Sequence, residues 1–156
     1  MKHITVRPAD NEDLAQLREL MLEYIVDFYQ FREPEKQQLD GLINSLLTHQ
    51  EGIQFVAEAG GQLVGFATLY FTFSTLQAAK IVVMNDLYVR EAERGRGAAQ
   101  KLFTECKEYA ARNGYANMSW TTAADNARAQ RFYDKMGGER GDWLTYSTRP
   151  TLGVGD

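Results

Sequence analysis

The sequence has very few of the residues that build disulfides and zinc sites. Its 156 residues include one cysteine, Cys106, and two histidines. A single cysteine cannot form an internal disulfide, and so few cysteine and histidine side chains cannot supply the usual ligand set of a structural zinc ion. These shortages exclude a disulfide framework and predict a protein of a reducing compartment that requires no metal.

Long apolar runs and an excess of basic charge are also missing. No stretch approaches the roughly 18 consecutive apolar residues that a membrane-spanning helix needs, and residues 1–10 hold no apolar core of a secretion signal. Lys and Arg number 17 against 21 Asp and Glu, a net charge of -4, whereas nucleic-acid binders normally carry a basic excess. The sequence predicts a soluble, cytoplasmic protein that has neither a membrane nor a nucleic acid as its partner.

The composition that remains is that of a globular domain. Apolar residues make up 44% and charged residues 24% of the chain, which excludes collagen-like and fully disordered classes. The length is typical of one domain. We expect a single domain over residues 1–150 and a frayed tail over 151–156, because the tail has little to bury.

The hydrophobic periodicity predicts the order strand, two helices, three strands, helix, strand, helix, strand. The predicted strands are Ile4–Val6, a run from Ile53 that ends at Gly60 and Gly61, Leu63–Phe73, Lys80–Val89, Met118–Thr122 and Trp143–Thr148. The predicted helices are Leu14–Phe28, Leu39–Leu47, a helix that includes Leu102 and Ala110 and stops near Asn113 and Gly114, and Ala127–Met136. The pair Gly60 and Gly61 predicts a tight hairpin. Because strands and helices alternate only in the second half, the pattern favours a mixed sheet of the α/β or α+β class.

A short segment rich in glycine and arginine follows the fourth predicted strand. It runs Arg94, Gly95, Arg96, Gly97, Ala98, Ala99 and leads into a helix. Small residues at this junction let a ligand approach the backbone, and the first N–H groups of a helix attract anions. The segment therefore predicts a phosphate site, or else only a chain reversal. Ala98 and Ala99 after the last glycine exclude a nucleotide P-loop, and Gln100 does not fit a dinucleotide fingerprint.

A second pattern occurs about thirty residues later, around a short amphipathic helix. Asn126 is suited to cap this helix and Gly137 to end it. Between them lie Ala129, Phe132 and Tyr133. Taken alone, these residues are also compatible with simple core packing.

Together the two patterns resemble the GNAT superfamily of acetyl-CoA-dependent N-acetyltransferases. The phosphate signature of that family (Arg or Gln, two residues, Gly, one residue, Gly or Ala) is matched by Arg94, Gly97 and Ala99. The second signature is matched by Asn126, Ala129, Phe132, Tyr133 and Gly137. Within the superfamily, Asn85–Val89 with Tyr70–Phe73 upstream is similar to the histone and polyamine branch, which acetylates primary amines.

The resemblance implies a fold and a mode of cofactor binding. The implied fold is a mixed, mostly antiparallel sheet that is splayed at the cofactor site and flanked by about four helices. Backbone groups of Leu87 and Val89 would bind the pantetheine arm, and an N–H near Leu87 or Tyr88 would polarise the thioester carbonyl. The full implied set for acetyl-CoA is Leu87, Tyr88, Val89, Arg94, Gly95, Arg96, Gly97, Ala98, Ala99, Asn126 and Tyr133, with no metal.

The resemblance also implies direct acetyl transfer to an amine within a ternary complex. Asp86 is the candidate base that removes the amine proton, directly or through a water, although an Asp at the end of a strand can also cap a loop or pair with an arginine. Tyr133 is the candidate acid for the departing thiolate. Cys106 lies among apolar helix positions, which indicates packing rather than a nucleophile.

The acceptor amine is the least determined part of the site. We expect its pocket between the first two helices and the last strand. Candidate substrate contacts are Glu23, Tyr24, Asp27, Tyr29, Trp143 and Tyr146, whose carboxylates and rings suit a cationic amine. A small amine, a lysine-bearing peptide and an acyl-CoA sensor without catalysis all stay open, and a homodimer is among the expected partners because dimers are common in the superfamily.

Overall fold

The computed structural model describes residues 3–153. This part of the chain forms two compact units, residues 3–121 and 122–153. Within the described residues, no helix is both long enough and apolar enough to cross a membrane. The predicted tail 151–156 falls partly outside the described residues, since 154–156 are beyond them.

The first unit is built on a five-stranded sheet in the order β1-β2-β3-β4-β5. The strands are β1 (Ile4–Pro8), β2 (Gly52–Ala59), β3 (Gln62–Ser74), β4 (Ala79–Val89) and β5 (Met118–Ser119). Neighbouring strands are antiparallel except for the parallel pair β4 and β5. The predicted mixed, mostly antiparallel sheet is confirmed.

Helices pack against both faces of this sheet. They are α1 (Leu14–Leu22), α2 (Lys36–Leu47) and α3 (Ala98–Arg112). Leu17 and Ile43, from α1 and α2, share a core cluster with Val56 and Phe66. On the other face, Tyr109 of α3 contacts the ring of Phe55. Successive residues of a strand point to opposite faces, so β2 is buried on both sides and its sequence is nearly all apolar.

Local signals for turns and caps act as the sequence predicts. Gly60 and Gly61 have φ of 58° and 81° and join β2 to β3, as a two-residue turn of this type requires. Asp10 and Asp13 form a capping box before α1. Side-chain oxygens there satisfy N–H groups that the helix start leaves bare.

The first predicted helix differs from the structure in its last third. Leu14–Leu22 is α-helical, but Glu23–Phe28 forms a π-helix. Just after this π-helix, the N–H of Phe31 donates a hydrogen bond to the carbonyl of Ile25, at 2.9 Å. The wider turn shifts the side chains that follow, and π-helical turns are frequent at functional sites.

Two predicted strands are shorter or missing. β5 covers two residues rather than Met118–Thr122, because it pairs only with Val82 and Val83. The predicted strand Trp143–Thr148 is wrong: no residue from 139 to 153 is in a strand or helix. Alternating apolar residues form a strand only where a partner strand receives their backbone hydrogen bonds, and the structure shows no such ladder for this segment.

The second unit contains α4 (Ala127–Lys135). The Asn126 side chain accepts a hydrogen bond from the N–H of Ala129 at 3.1 Å. At the other end Gly137 has a φ of 86°, and the N–H of Gly138 donates to the carbonyl of Tyr133 at 2.9 Å. This is a Schellman ending, so both predicted boundaries of the helix are confirmed.

Candidate active site

A bulge in β4 determines where the side chain of Asp86 lies. Thr68 of β3 opposes Asp86 and the next residue, Leu69, opposes Met84. Asn85 is therefore an extra residue without a partner on β3. Bulges of this kind redirect side chains and are common beside active sites.

The Asp86 carboxyl is buried among polar partners. It is 9% exposed and accepts a hydrogen bond from Asn85 Nδ2 at 3.1 Å. Thr68 lies opposite it on β3, and hydrogen bonding by Thr68 and Tyr24 acts to lower its pKa. Burial disfavours the charged form and raises the pKa of Asp86, while the three hydrogen bonds oppose that rise. A carboxyl with a raised pKa holds a proton more readily, which suits a general base.

Along the same segment, β4 directs some of its backbone groups away from β3. β5 pairs with β4 only at Val82 and Val83, so the two strands separate beyond that point. The N–H of Arg90 donates to Val64 of β3 at 2.9 Å. Because donors alternate sides along a strand, Tyr88 also bonds toward β3, whereas Leu87 and Val89 direct their backbone groups to the open side. The predicted splay in the sheet is present here.

The loop after β4 ends in a bare helix N-terminus. Gly95 and Gly97 have φ of 83° and 84°, in the left-handed region that favours glycine. The N–H of Lys101 donates to the carbonyl of Gly97 at 3.0 Å. The N–H groups of Ala98, Ala99 and Gln100 precede this bond and have no acceptor within the helix. Three free donors at the positive end of a 15-residue helix can bind an anion.

The two arginines of this loop have different surroundings. Arg94 Nε donates to the carbonyl of Val89 at 3.1 Å, and its guanidinium lies 5.9 Å from the centre of the Phe28 ring. Arg96 pairs with Glu93 at 3.0 Å on the surface. Arg94 thus joins the open side of β4 to the π-helix, a contact that the sequence pattern did not predict.

The π-helix brings an aromatic cluster to the same face of the sheet as Asp86. Tyr24 is its centre, with ring centroids 4.9 to 6.4 Å from its own; the neighbouring rings are those of Phe28, Tyr29, Phe66 and Tyr88. Burial and the nearby Asp86 raise the pKa of Tyr24. Its hydroxyl therefore stays protonated and available as a donor.

The two acidic candidates on the π-helix, Glu23 and Asp27, differ in whether a basic side chain of the protein pairs with them. Glu23 accepts hydrogen bonds from Arg90 Nε, which lies 3.2 and 3.0 Å from its two oxygens, and from the Tyr88 hydroxyl at 3.5 Å. The charge of Glu23 is thereby matched within the protein. For Asp27 the described part of the chain shows neither an ion pair nor a hydrogen bond of the side chain, so its charge remains available to a ligand.

Four predicted site residues lie in the second unit. Asn126 caps α4 and Tyr133 lies on that helix. Trp143 and Tyr146 lie in the segment without regular structure and are 84% and 89% exposed. The structure does not show the expected last strand on which their place in the pocket depended.

Sequence reasoning missed Gln54, Thr68 and Arg90. The strand pattern gives no sign of a role for Gln54 or Thr68, because only the register places them in line with Asp86. Arg90 immediately follows β4, a position that could have drawn attention to it. Among residues 3–153, no group of three or more His, Cys, Asp or Glu side chains could hold a metal ion.

Comparison with known proteins adds an independent line of support. The profile of the Acetyltransferase (GNAT) family matches residues 15–138. The uncharacterised N-acetyltransferase YhfO of Bacillus subtilis is 30% identical over 136 residues, 87% of this chain and 90% of that protein. The D-amino-acid N-acetyltransferase HPA3 of Saccharomyces cerevisiae is 34% identical over 76 residues, 49% of this chain and 47% of that protein.

The fold has close structural counterparts. The aminoglycoside N-acetyltransferase AAC(6')-Iy, solved with a bisubstrate analogue of CoA and acetylneamine, superposes with a TM-score of 0.83 at 18% identity, covering 96% of this chain and 99% of the other. The family profile matches most of the chain, and the relative from Bacillus subtilis agrees with that match. The chain belongs to the GNAT family of acetyltransferases and is an enzyme of that family.

Proposed function

We propose that residues 1–150 act as one catalytic domain that transfers the acetyl group of acetyl-CoA directly to a primary amine. One observation carries this proposal: a buried carboxyl, Asp86, lies at a bulge on β4 beside Leu87 and Val89, whose N–H groups face away from β3. A base and a row of free N–H donors are the two elements that such a transfer needs.

The residues present suit acetyl-CoA as co-substrate. The bare N–H groups of Ala98–Gln100 would bind its diphosphate, assisted by Arg94 and Arg96. Leu87 and Val89 would bond the pantetheine arm, and the N–H of Leu87 is better placed than that of Tyr88 to polarise the acyl carbonyl, because it faces the open side. When bound, acetyl-CoA supplies an acyl group activated as a thioester. Asn126 and Tyr133 complete the set by family resemblance.

The proposed role of Asp86 is to remove the amine proton, which is the main energetic cost of the reaction. An alkyl amine attacks only in its neutral form, and with an ordinary pKa near 10.4 its deprotonation at pH 7 costs about 4.6 kcal/mol. The Asp86 carboxylate would take that proton, directly or through one water. Burial strengthens it as a base because the charged form is poorly solvated.

The surroundings of Asp86 suit a cationic acceptor. Tyr24, Tyr29 and Phe28 present ring faces that attract a cation, and Asp27 on the same π-helix is a further proposed contact. Glu23 serves the Arg90 ion pair instead. Relatives named for D-amino-acid and aminoglycoside acetylation support a small amine as acceptor, with Trp143 and Tyr146 as further proposed contacts and a lysine-bearing peptide as the main competitor.

The proposal is tested by thiol release from acetyl-CoA against diamines, amino acids, aminoglycosides and lysine peptides. Turnover with a small amine, and slower release with peptides, is the expected result. Binding of acetyl-CoA without release of CoA for any acceptor would identify a sensor and overturn the proposal. Selective turnover of peptides would overturn the small-amine assignment.

Tyr133→Phe is expected to lower turnover ten-fold or more and to leave acetyl-CoA affinity nearly unchanged. The phenol would protonate the departing thiolate, and Phe has no proton to give. The pKa of a tyrosine, near 10, is somewhat above that of the thiol, so the mismatch that this transfer must overcome is modest. Steady-state kinetics and calorimetric titration of acetyl-CoA check the two parts. Unchanged turnover would remove Tyr133 from the acid role.

Cys106→Ala is expected to retain activity. Cys106 is fully buried in α3, and burial raises the pKa of its thiol, so a reactive thiolate is disfavoured. The smaller side chain should cost on the order of 1 kcal/mol of stability through the space it leaves. Abolished activity in a folded variant, shown by circular dichroism, would indicate a covalent acetyl-enzyme route instead.

A further inference from the structure

A row of polar side chains crosses three neighbouring strands to reach Asp86. Gln54 of β2 opposes Thr68 of β3, and Thr68 opposes Asp86 of β4. Gln54 is 2% and Thr68 0% exposed. Four polar or charged side chains are buried among residues 3–153, and three of them form this row. Its position inside an otherwise apolar core calls for a physical reason.

The chemistry of the three groups gives the row a direction. Gln54 Nε2 donates to Thr68 Oγ1 at 3.0 Å. An amide nitrogen only donates, and a hydroxyl has a single proton. Since Thr68 accepts from Gln54, its own proton is free for the Asp86 carboxylate, which lies directly opposite it on β4 and whose pKa hydrogen bonding by Thr68 lowers.

The amide of Gln54 carries a cost that an apolar residue would avoid. Its Oε1 is buried and has no hydrogen-bond partner in the described part of the chain, and an unsatisfied buried acceptor is unfavourable. The reversed amide would place Oε1 on Thr68 and take the hydroxyl proton away from Asp86. What Gln54 contributes is therefore its donor, directed along the row.

We propose that Gln54 and Thr68 are positioning residues that act in series, holding the Asp86 carboxylate in one orientation through a directed row of hydrogen bonds. The effect on turnover rests on the proposed role of Asp86 as the base. The existence of the row does not depend on that role, because the row concerns only the orientation of the Asp86 carboxyl group.

The other groups that face Asp86 do not change their protonation in the pH range in which Asp86 is titrated. Tyr24 reaches it from the π-helix and Tyr70 from β3; burial and the carboxyl raise the pKa of Tyr70 to about 12 and that of Tyr24 still further. Both stay neutral over the assay range. Asn85 donates to the carboxyl but does not titrate, and no salt bridge involves Asp86 in the described residues.

The test compares Thr68→Val, which removes the hydroxyl, with Thr68→Ser, which keeps it. The Asp86 midpoint is read from its carboxyl ¹³C NMR signal, identified by its absence in Asp86→Asn, and separately from the acidic limb of kcat/KM. Losing a donor to a carboxylate should raise the midpoint by about one pH unit in Thr68→Val. Thr68→Ser should stay close to the parent protein.

Gln54→Leu tests whether the row acts in series. It should raise the midpoint in the same direction but by less, because Thr68 can still donate. The double variant Gln54→Leu/Thr68→Val should shift it no further than Thr68→Val alone, since Gln54 acts only through Thr68. Additive shifts would overturn the series arrangement. Gln54→Leu alone carries the test of the row if Thr68→Val fails to fold.

The two readouts separate this proposal from the proposed function. An unchanged NMR midpoint in Thr68→Val, or in Gln54→Leu where only that variant folds, overturns the row. A shifted NMR midpoint without a matching shift in kcat/KM supports the row and overturns Asp86 as the base. Matching shifts in both support the two together.

Discussion

Asp86→Asn is expected to lower kcat/KM for the acceptor amine by about 10²- to 10⁴-fold at pH 7, the range that general bases contribute. An amide of nearly the same size cannot take the amine proton. The loss should shrink as the pH approaches the amine pKa near 10.4, because the neutral amine then forms without help. Steady-state kinetics from pH 6 to 10 measure both effects.

The matched controls are acetyl-CoA affinity and thermal stability. Affinity should change little, because the Asp86 side chain is not among the groups proposed to bind that ligand. A rate loss of the same size at every pH would contradict the role as a base and indicate a structural defect.

The sign of a stability change follows from the same pKa. The folded protein holds the Asp86 proton more tightly than the unfolded chain does, since burial raises the pKa above 3.8. The contribution of this group to the free energy of unfolding therefore falls as the pH rises above 3.8. Asp86→Asn should remove that dependence, as thermal melts at several pH values would show.

Ala99→Asp is expected to weaken acetyl-CoA binding by roughly 100-fold, through repulsion between a new carboxylate and the diphosphate at the start of α3. The same charge interacts favourably with the helix N-terminus and should leave the melting temperature unchanged or slightly higher. Binding and stability are thus expected to move in opposite directions, a combination that local misfolding would not produce. Calorimetric titration and thermal melts measure the two quantities.

Ala99→Asn is the matched control, because it has nearly the same shape without the charge. It should bind acetyl-CoA much more tightly than Ala99→Asp, and the difference between the variants should shrink as salt is added. Equal affinities would show that the helix start does not contact the diphosphate. The assignment of Gly97, Ala98 and Ala99 to that group would then be withdrawn.

Much of the fold could be predicted because its signals are local. Gly60 and Gly61 specify their turn by conformation, Asp10 and Asp13 specify a helix start, and Asn126 and Gly137 bound α4. The predicted strand Trp143–Thr148 failed because strand formation depends on a partner elsewhere in the chain. No local pattern reports whether that partner is present.

The residues of the candidate site show the same distinction between local signals and features that depend on distant partners. Residue types at short spacing were enough to indicate the family, the glycine-rich helix start and the candidate base. Three other features became visible in the folded chain alone: Arg90 neutralises Glu23, Leu87 rather than Tyr88 directs its N–H to the open side, and Gln54 and Thr68 lie in line with Asp86. These facts depend on register and on the bulge at Asn85, which arise from pairing between residues far apart in the chain.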